Sequence, residues 1–175
     1  MEDLRFLTML HKALKDEKMA AEYYEHLMKM APHECKPHIK HMMEDEQKHY
    51  EMLSHMYHML TGMRPMIDGH HPEMPASFHE GLHEAFMDQM EAVEHYRTMY
   101  LMTYNMKLRD MIFEIMTDEM EHGMRLNFCC CMMMMKKPEM PPPMPPMPPM
   151  PPPPMPPMPP MPPMPPPPFP KPPKG

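Results

Sequence analysis

Asp45-Glu46-Gln47-Lys48-His49 returns 73 positions later as Asp118-Glu119-Met120-Glu121-His122. Each residue of an α-helix turns about 100°, so a Glu and a His three apart leave the same face, one turn apart. Around the first copy, Ile39, Met42/Met43, Glu46, His49/Tyr50, Leu53, Met56/Tyr57 and Leu60 follow one another in steps of three and four. Around the second, Leu108, Ile112, Ile115, Glu119, His122 and Leu126 do the same. Such spacing marks the face a helix turns toward a core. Both Glu-His pairs are therefore expected inside, on apolar stripes.

Two further segments carry the same rhythm. Residues 3–31 place Leu7, Leu10, Leu14, Glu17, Ala20/Ala21, Tyr24 and Leu27/Met28 on one face. From Phe78 to about Asn105, the face reads Phe78, Leu82, Ala85/Phe86, Gln89, Ala92/Val93, Tyr96, Met99/Tyr100 and Thr103. Ser77 with Glu80 three residues on forms the signature of a capping box at the start of that helix. Pro32 and Pro37 bracket a short connection, and Gly62 is placed to stop the second helix. No stretch alternates with period two, so no sheet is expected. At an offset of 72, Ala13, Asp16, Glu22 and Tyr24 match Ala85, Asp88, Glu94 and Tyr96. A duplicated helix hairpin is the simplest account. The link over residues 62–76, with its Gly and Pro residues, reaches roughly 50 Å when extended, enough to run the length of a bundle. The expected fold is all-α: a four-helix bundle of two hairpins joined by a long crossover loop over residues 1–131, with a disordered Pro/Met-rich tail over 132–175.

Glu17, Glu46 and Glu119 would then share one core. A lone ionised carboxylate in an apolar interior is very costly, and mutual repulsion raises the pKa of several together. A divalent cation supplies the missing charge.

This arrangement resembles the ferritin-like superfamily of di-iron carboxylate bundles, which includes ferritins, bacterioferritins and rubrerythrins. That architecture takes a Glu from each of two helices and a Glu-x-x-His from each of the other two. Here Glu46, His49, Glu119 and His122 match the two Glu-x-x-His motifs, and Glu17, with Tyr24 seven residues on, matches the first helix. The likeness spans residues 1 to about 128. It implies that Glu46 and Glu119 bridge two metal ions, with Glu17 and His49 serving one and His122 the other. It also places Asp45 and Asp118 to orient the histidine N–H groups, and Tyr24 and Tyr96 beside the site. The implied cofactor is iron, as two ions or as one ion plus a weak position, with manganese as an alternative. The implied co-substrates are O2 or a peroxide. One position departs from the pattern: Gln89 stands where the third helix should offer Glu. Gln coordinates weakly through its amide oxygen, so one good and one compromised metal position are expected.

Composition narrows the remaining classes. The net charge is −7. The last forty residues carry four lysines against Glu139, or +3, so residues 1–135 carry −10. An acidic bundle argues against a nucleic-acid surface. No run of 18 apolar residues suggests a membrane span, and the N-terminus does not read as a secretory signal. A cytoplasmic location is the default. Of 34 methionines, 26 precede residue 136. They read chiefly as flexible core fillers, with capture of a soft metal such as Cu(I) as the sharper reading. Cys129, Cys130 and Cys131 run into Met132–Met135 as a sulfur-rich hinge, and with Cys35 they form no disulfide framework. No Cys-x-x-Cys pair is present for a rubredoxin-type iron site. His11, His26, His55, His58, His79 and His95 read as exposed helix residues, and the His70-His71 pair lies in the loop.

Beyond Lys136 the Pro-Pro-Met repeats favour an extended polyproline II chain, about 3.1 Å per residue. It is either a spacer, a ligand for a partner that reads proline helices, or a thioether trap for soft metal. Three readings of the whole stay open: a metal-dependent redox protein, a non-catalytic metal-binding protein whose tail does the work, and an assembly or coat component. The third expects an oligomer of identical chains and, by analogy with stand-alone ferritin-like domains of spore-forming bacteria, a spore-associated location.

Overall fold

The computed structural model describes residues 4–69 and 71–135, which form four helices and no strand. Helix α1 spans Leu4–Met30, α2 Lys36–Thr61, α3 Phe78–Met102 and α4 Met106–Met135. Their ends follow local chemistry. Ser77 has extended backbone and its hydroxyl accepts the Glu80 N–H at 3.2 Å. The Glu80 carboxylate reaches back to the Ala76 N–H at 3.0 Å, one residue further than a standard capping box requires. Gly62 stops α2 at φ 71°, with its N–H donated to the His58 carbonyl at 2.8 Å. That left-handed conformation suits glycine, which has no Cβ to clash. The Asn105 carboxamide takes the Lys107 N–H and turns the chain from α3 into α4.

Two boundaries differ from the sequence expectation. Helix α2 begins at Lys36, so Pro37 lies inside its first turn. Proline is tolerated there because that N–H has no helical partner anyway. Helix α4 continues through Cys129–Cys131 and Met132–Met135. The supposed hinge is helical, as Met favours helix and no proline lies between Pro75 and Pro138. The tail expected over 132–175 starts inside this helix: Met132–Met135 are helical, and residues 136–175 lie outside the described residues.

Helix α1 packs along α2 and α3 along α4, and the two hairpins meet through α1 against α3 and α2 against α4. Tyr23 reaches Gly81 and Glu84, while His95 reaches Met9, so α1 and α3 run antiparallel. His38 with Arg125 and His49 with Asp118 show the same for α2 and α4. The loop from α2 to α3 must therefore travel from one end of the bundle to the other. It does so along α1: Met66 meets His11, His71 meets Glu22, and Pro75 lies against Gly81 beside Leu27. From His11 to Leu27 the helix rises about 24 Å.

Two apolar clusters fill the interior. One gathers Phe6, Leu10, Leu14, Leu53, Met56, Met99, Leu108 and Ile112. The other gathers Tyr24, Leu27, Cys35, Ile39, Met42, Phe78, Leu82 and Cys129. Between them lies a polar layer. Phe6, rather than Leu7, turns fully inward at the start of α1.

Candidate metal centre

The polar layer is made by the residues on the apolar stripes. Glu17 comes from α1, Glu46 and His49 from α2, Gln89 from α3, and Glu119 and His122 from α4. None is more than 4% exposed. One ligand atom from each of Glu17, Glu46, His49 and Glu119 lies within 4.8 Å of the others, so this group can hold a metal ion.

His49 Nδ1 lies 3.1 Å from Glu119 Oε1 and 3.5 Å from both Glu17 Oε2 and Glu46 Oε2. His122 Nδ1 lies 3.3 Å from Glu46 Oε1 and 3.5 Å from Glu119 Oε2. The separations suit ion pairs, yet Glu17 Oε2, His49 Nδ1, Gln89 Oε1, Glu119 Oε1 and His122 Nδ1 all lack a hydrogen-bond partner. Buried polar atoms are nearly always paired. Five orphans in one layer, on residues that flank one another, are what a set of ligand atoms facing a common cation would leave. The two imidazole rings stand 5.8 Å apart.

The other nitrogen of each ring is served from the opposite hairpin. His49 Nε2 lies 3.2 Å from Asp118 Oδ2, and His122 Nε2 lies 3.4 Å from Asp45 Oδ2. Each aspartate thus supports the histidine of the other helix, because α2 and α4 are antiparallel. A carboxylate there fixes the ring and directs its Nδ1 inward. Asp45 is buried, whereas Asp118 is about one third exposed. Lys48 and His41 also contact Asp45. Burial opposes its ionisation, but the Lys48 and His122 hydrogen bonds outweigh it and hold the carboxyl below the usual range.

The tyrosines repeat this exchange. Tyr96 of α3 donates to Glu17 Oε1 of α1. Tyr24 of α1 accepts from Gln89 Nε2 of α3 at 3.0 Å. The same Gln89 amide also donates to Glu46 Oε1 at 3.2 Å. Gln89 thus spends its donor on a carboxylate that its Glu counterpart would repel, and its oxygen remains unpaired.

Protons compete with a cation for these atoms. Burial first, then repulsion from Glu46 and Glu119, holds Glu17 well above the usual carboxyl range. Burial works against charge on His122, but the Glu119 and Glu46 carboxylates beside its Nδ1 push it up to about 10. For His49 burial is likewise outweighed, here by Glu119, Glu17 and Glu46, so its pKa is raised further. Binding a metal at these atoms would release those protons.

A cavity of about 280 Å³ connects the layer to the surface between α1 and α3. Lys12, Asp16, Asp88 and Glu91 lie at its exposed side, and Glu17, Glu46, Gln89 and Glu119 at its buried side. Carboxylates lining a cleft concentrate cations. Every site residue expected from the sequence lies in this layer or directly against it. His70 lies outside the described residues, and His71 contacts Glu22 on the crossover instead. No helix among the described residues is long and apolar enough to cross a membrane.

No family model matches the chain. It is 29% identical over 124 residues to the uncharacterized protein YhjR of Bacillus subtilis, across 70% of this chain and 85% of that one. A hypothetical protein from Pyrococcus furiosus superposes with a TM-score of 0.67 at 19% identity, covering 75% of this chain and 92% of that one. A two-domain protein from Anabaena variabilis, containing DJ-1/ThiJ/PfpI-like and ferritin-like domains, gives 0.61 at 19% identity over 78% of this chain and 39% of that one. At such identities the superpositions show a shared four-helix fold.

Proposed function

We propose that this chain is a ferritin-like metal protein that holds iron between its four helices and reacts it with O2 or a peroxide. The observation that carries the reading is the set of five unpartnered buried atoms on Glu17, His49, Gln89, Glu119 and His122. Two Glu-x-x-His motifs, a further Glu and aspartates behind both histidines suit the di-iron carboxylate pattern. The fold of the Anabaena ferritin-like domain supports the same assignment.

The first position would take Glu17, Glu46, His49 and Glu119, and the second Glu46, Glu119 and His122 with the Gln89 carbonyl oxygen. Bound iron would supply the one-electron steps that O2 and peroxides require. The chain's own part is to bind and to orient. Asp118 and Asp45 fix the imidazoles, Tyr96 holds one oxygen of Glu17, and the apolar clusters close the layer toward both ends of the bundle, leaving the cleft between α1 and α3 as the way in.

The full chain loaded anaerobically with Fe(II) and desalted is expected to retain one or two irons by elemental mass spectrometry. Glu46→Ala/Glu119→Ala should retain none at the centre and should lose any Fe(II) oxidation faster than the buffer background. Retention unchanged in that variant would overturn the assignment.

Gln89 favours a second reading, in which one ion is held without redox turnover. Three carboxylates offset one divalent ion more readily than two, and the Gln89 amide already donates to a bridging candidate. Gln89→Glu separates the readings. A rise from one iron to two, with oxidase activity appearing only in the variant, would mean the natural centre binds without turning over.

A further inference from the structure

A different group of soft ligands lies at the end of the bundle that holds the α1–α2 turn. Cys35 precedes the first turn of α2, with its N–H donated to the Pro32 carbonyl at 2.9 Å. Its side chain is 1% exposed, and Cys129 of α4 is fully buried. The two cysteines are 94 positions apart in the chain. They share one apolar cluster, and both are free thiols. Met133, one turn beyond Cys129 on the same face of α4, packs against that cluster, as does Cys130.

We propose that Cys35 and Cys129, with the Met133 thioether as third donor, form a binding site for one Cu(I) ion. The site is independent of the carboxylate layer, and it stands or falls separately from the function proposed above.

The chemistry selects the ion. Thiolates and thioethers are soft donors that favour Cu(I). Zinc sites built on cysteine close a tetrahedron with thiolate and imidazole ligands; here only two thiols are fully buried, and the other sulfurs of the cluster, among them Met42, are thioethers apart from the half-buried Cys130. The other buried members, among them Leu27, Ile39 and Leu126, are apolar. Cys35 and Cys129 pack in the same buried cluster, and Cys35 is near enough to act on the Cys129 thiol, so the two sulfurs are neighbours. Burial, then that contact, raises the Cys129 pKa, so this thiol keeps its proton until a metal displaces it. The exchange balances as two thiols plus Cu(I) giving a dithiolate complex of charge −1 plus two protons. Cys35 at the start of α2 places the helix N-terminus beside that negative charge, which the helix dipole favours.

The route inward is written in three consecutive thiols. One residue turns about 100° on a helix, and along α4 Cys131 is exposed, Cys130 is half-buried and Cys129 is buried.

The test is an anaerobic Cu(I) titration of the reduced full chain against a chromophoric Cu(I) chelator, with proton release followed in parallel. The Cys130→Ser/Cys131→Ser chain should still take one Cu(I) from the chelator and release two protons. Cys35→Ala/Cys129→Ala should lose that equivalent while keeping its helical circular dichroism and its iron content. The same tight equivalent in the Cys35→Ala/Cys129→Ala chain would overturn the proposal. So would copper uptake without proton release in Cys130→Ser/Cys131→Ser, which would point to methionines alone. The second comparison needs no change at the buried pair, so it decides the matter even if the alanine variant fails to fold.

Discussion

The two tyrosines of the polar layer occupy matching positions but hold different partners. Tyr96 donates to a carboxylate oxygen that would otherwise be buried and bare, whereas Tyr24 accepts from Gln89, whose amide has a second acceptor in Glu46. Leaving a buried acceptor unpaired costs about 1–3 kcal/mol. Tyr96→Phe is therefore expected to lower urea stability by that amount, and Tyr24→Phe by less. Equal losses would mean that the Glu17 contact has no special weight. The identity of Glu17, Gln89 and both Glu-His pairs was legible from helical spacing, and so was their burial. Their crossed support was not. In the sequence Asp45 stands beside its own Glu46, and only the antiparallel run of α2 and α4 brings it to His122. Cys35 and Cys129 were equally invisible as a pair, since nothing local links two residues on different helices.

At the scale of elements, two glycines inside helices make opposite predictions. A Cβ on Gly81 of α3 would stand 2.6 Å from Leu27 Cδ1 and 2.8 Å from the Pro75 ring. Leu27 is fully buried and the proline is rigid, so neither yields readily. Gly81→Ala should cost about 1–3 kcal/mol through overpacking. Gly123 of α4 has nothing within 4 Å of the same position. There Gly123→Ala should add about 0.5–1 kcal/mol by removing the entropy a helical glycine loses. Thermal melts of both variants check the sign directly, and a stabilised Gly81→Ala would show that the crossover does not press on α3. The four elements themselves were readable because apolar steps of three and four persist over each. Their ends were read less well where proline was taken as a stop. Pro37 sits where helices accept it, and the sulfur run after Phe128 contains nothing that breaks one.

For the whole molecule, the protons of the layer link stability to pH. His122 is raised from 6.5 to about 10, so the folded state binds its proton more tightly than the unfolded chain. That stabilisation is complete below pH 6.5 and is lost as pH rises through about 10. His49 and Glu17 are raised as well and act in the same direction. A bound metal reverses the trend, since it competes with those protons. The gap in melting temperature between Mn(II)-loaded and chelator-treated protein should widen as pH increases from 6.5 to 8.5 under argon. Surface groups titrate alike in both samples and cancel. A gap that stays constant would place the metal elsewhere.

The crossed pairing of Asp45 with His122 and of Asp118 with His49 also bears on ancestry. A lone hairpin would hold its histidine with nothing behind the ring. A second hairpin completes it, and two identical subunits related by a twofold axis would satisfy that need as well as one chain does. The loop that runs along α1 is then what makes one chain of the two hairpins. Within one chain the two halves need not be identical, and Gln89 opposite Glu17 is where they part at the layer.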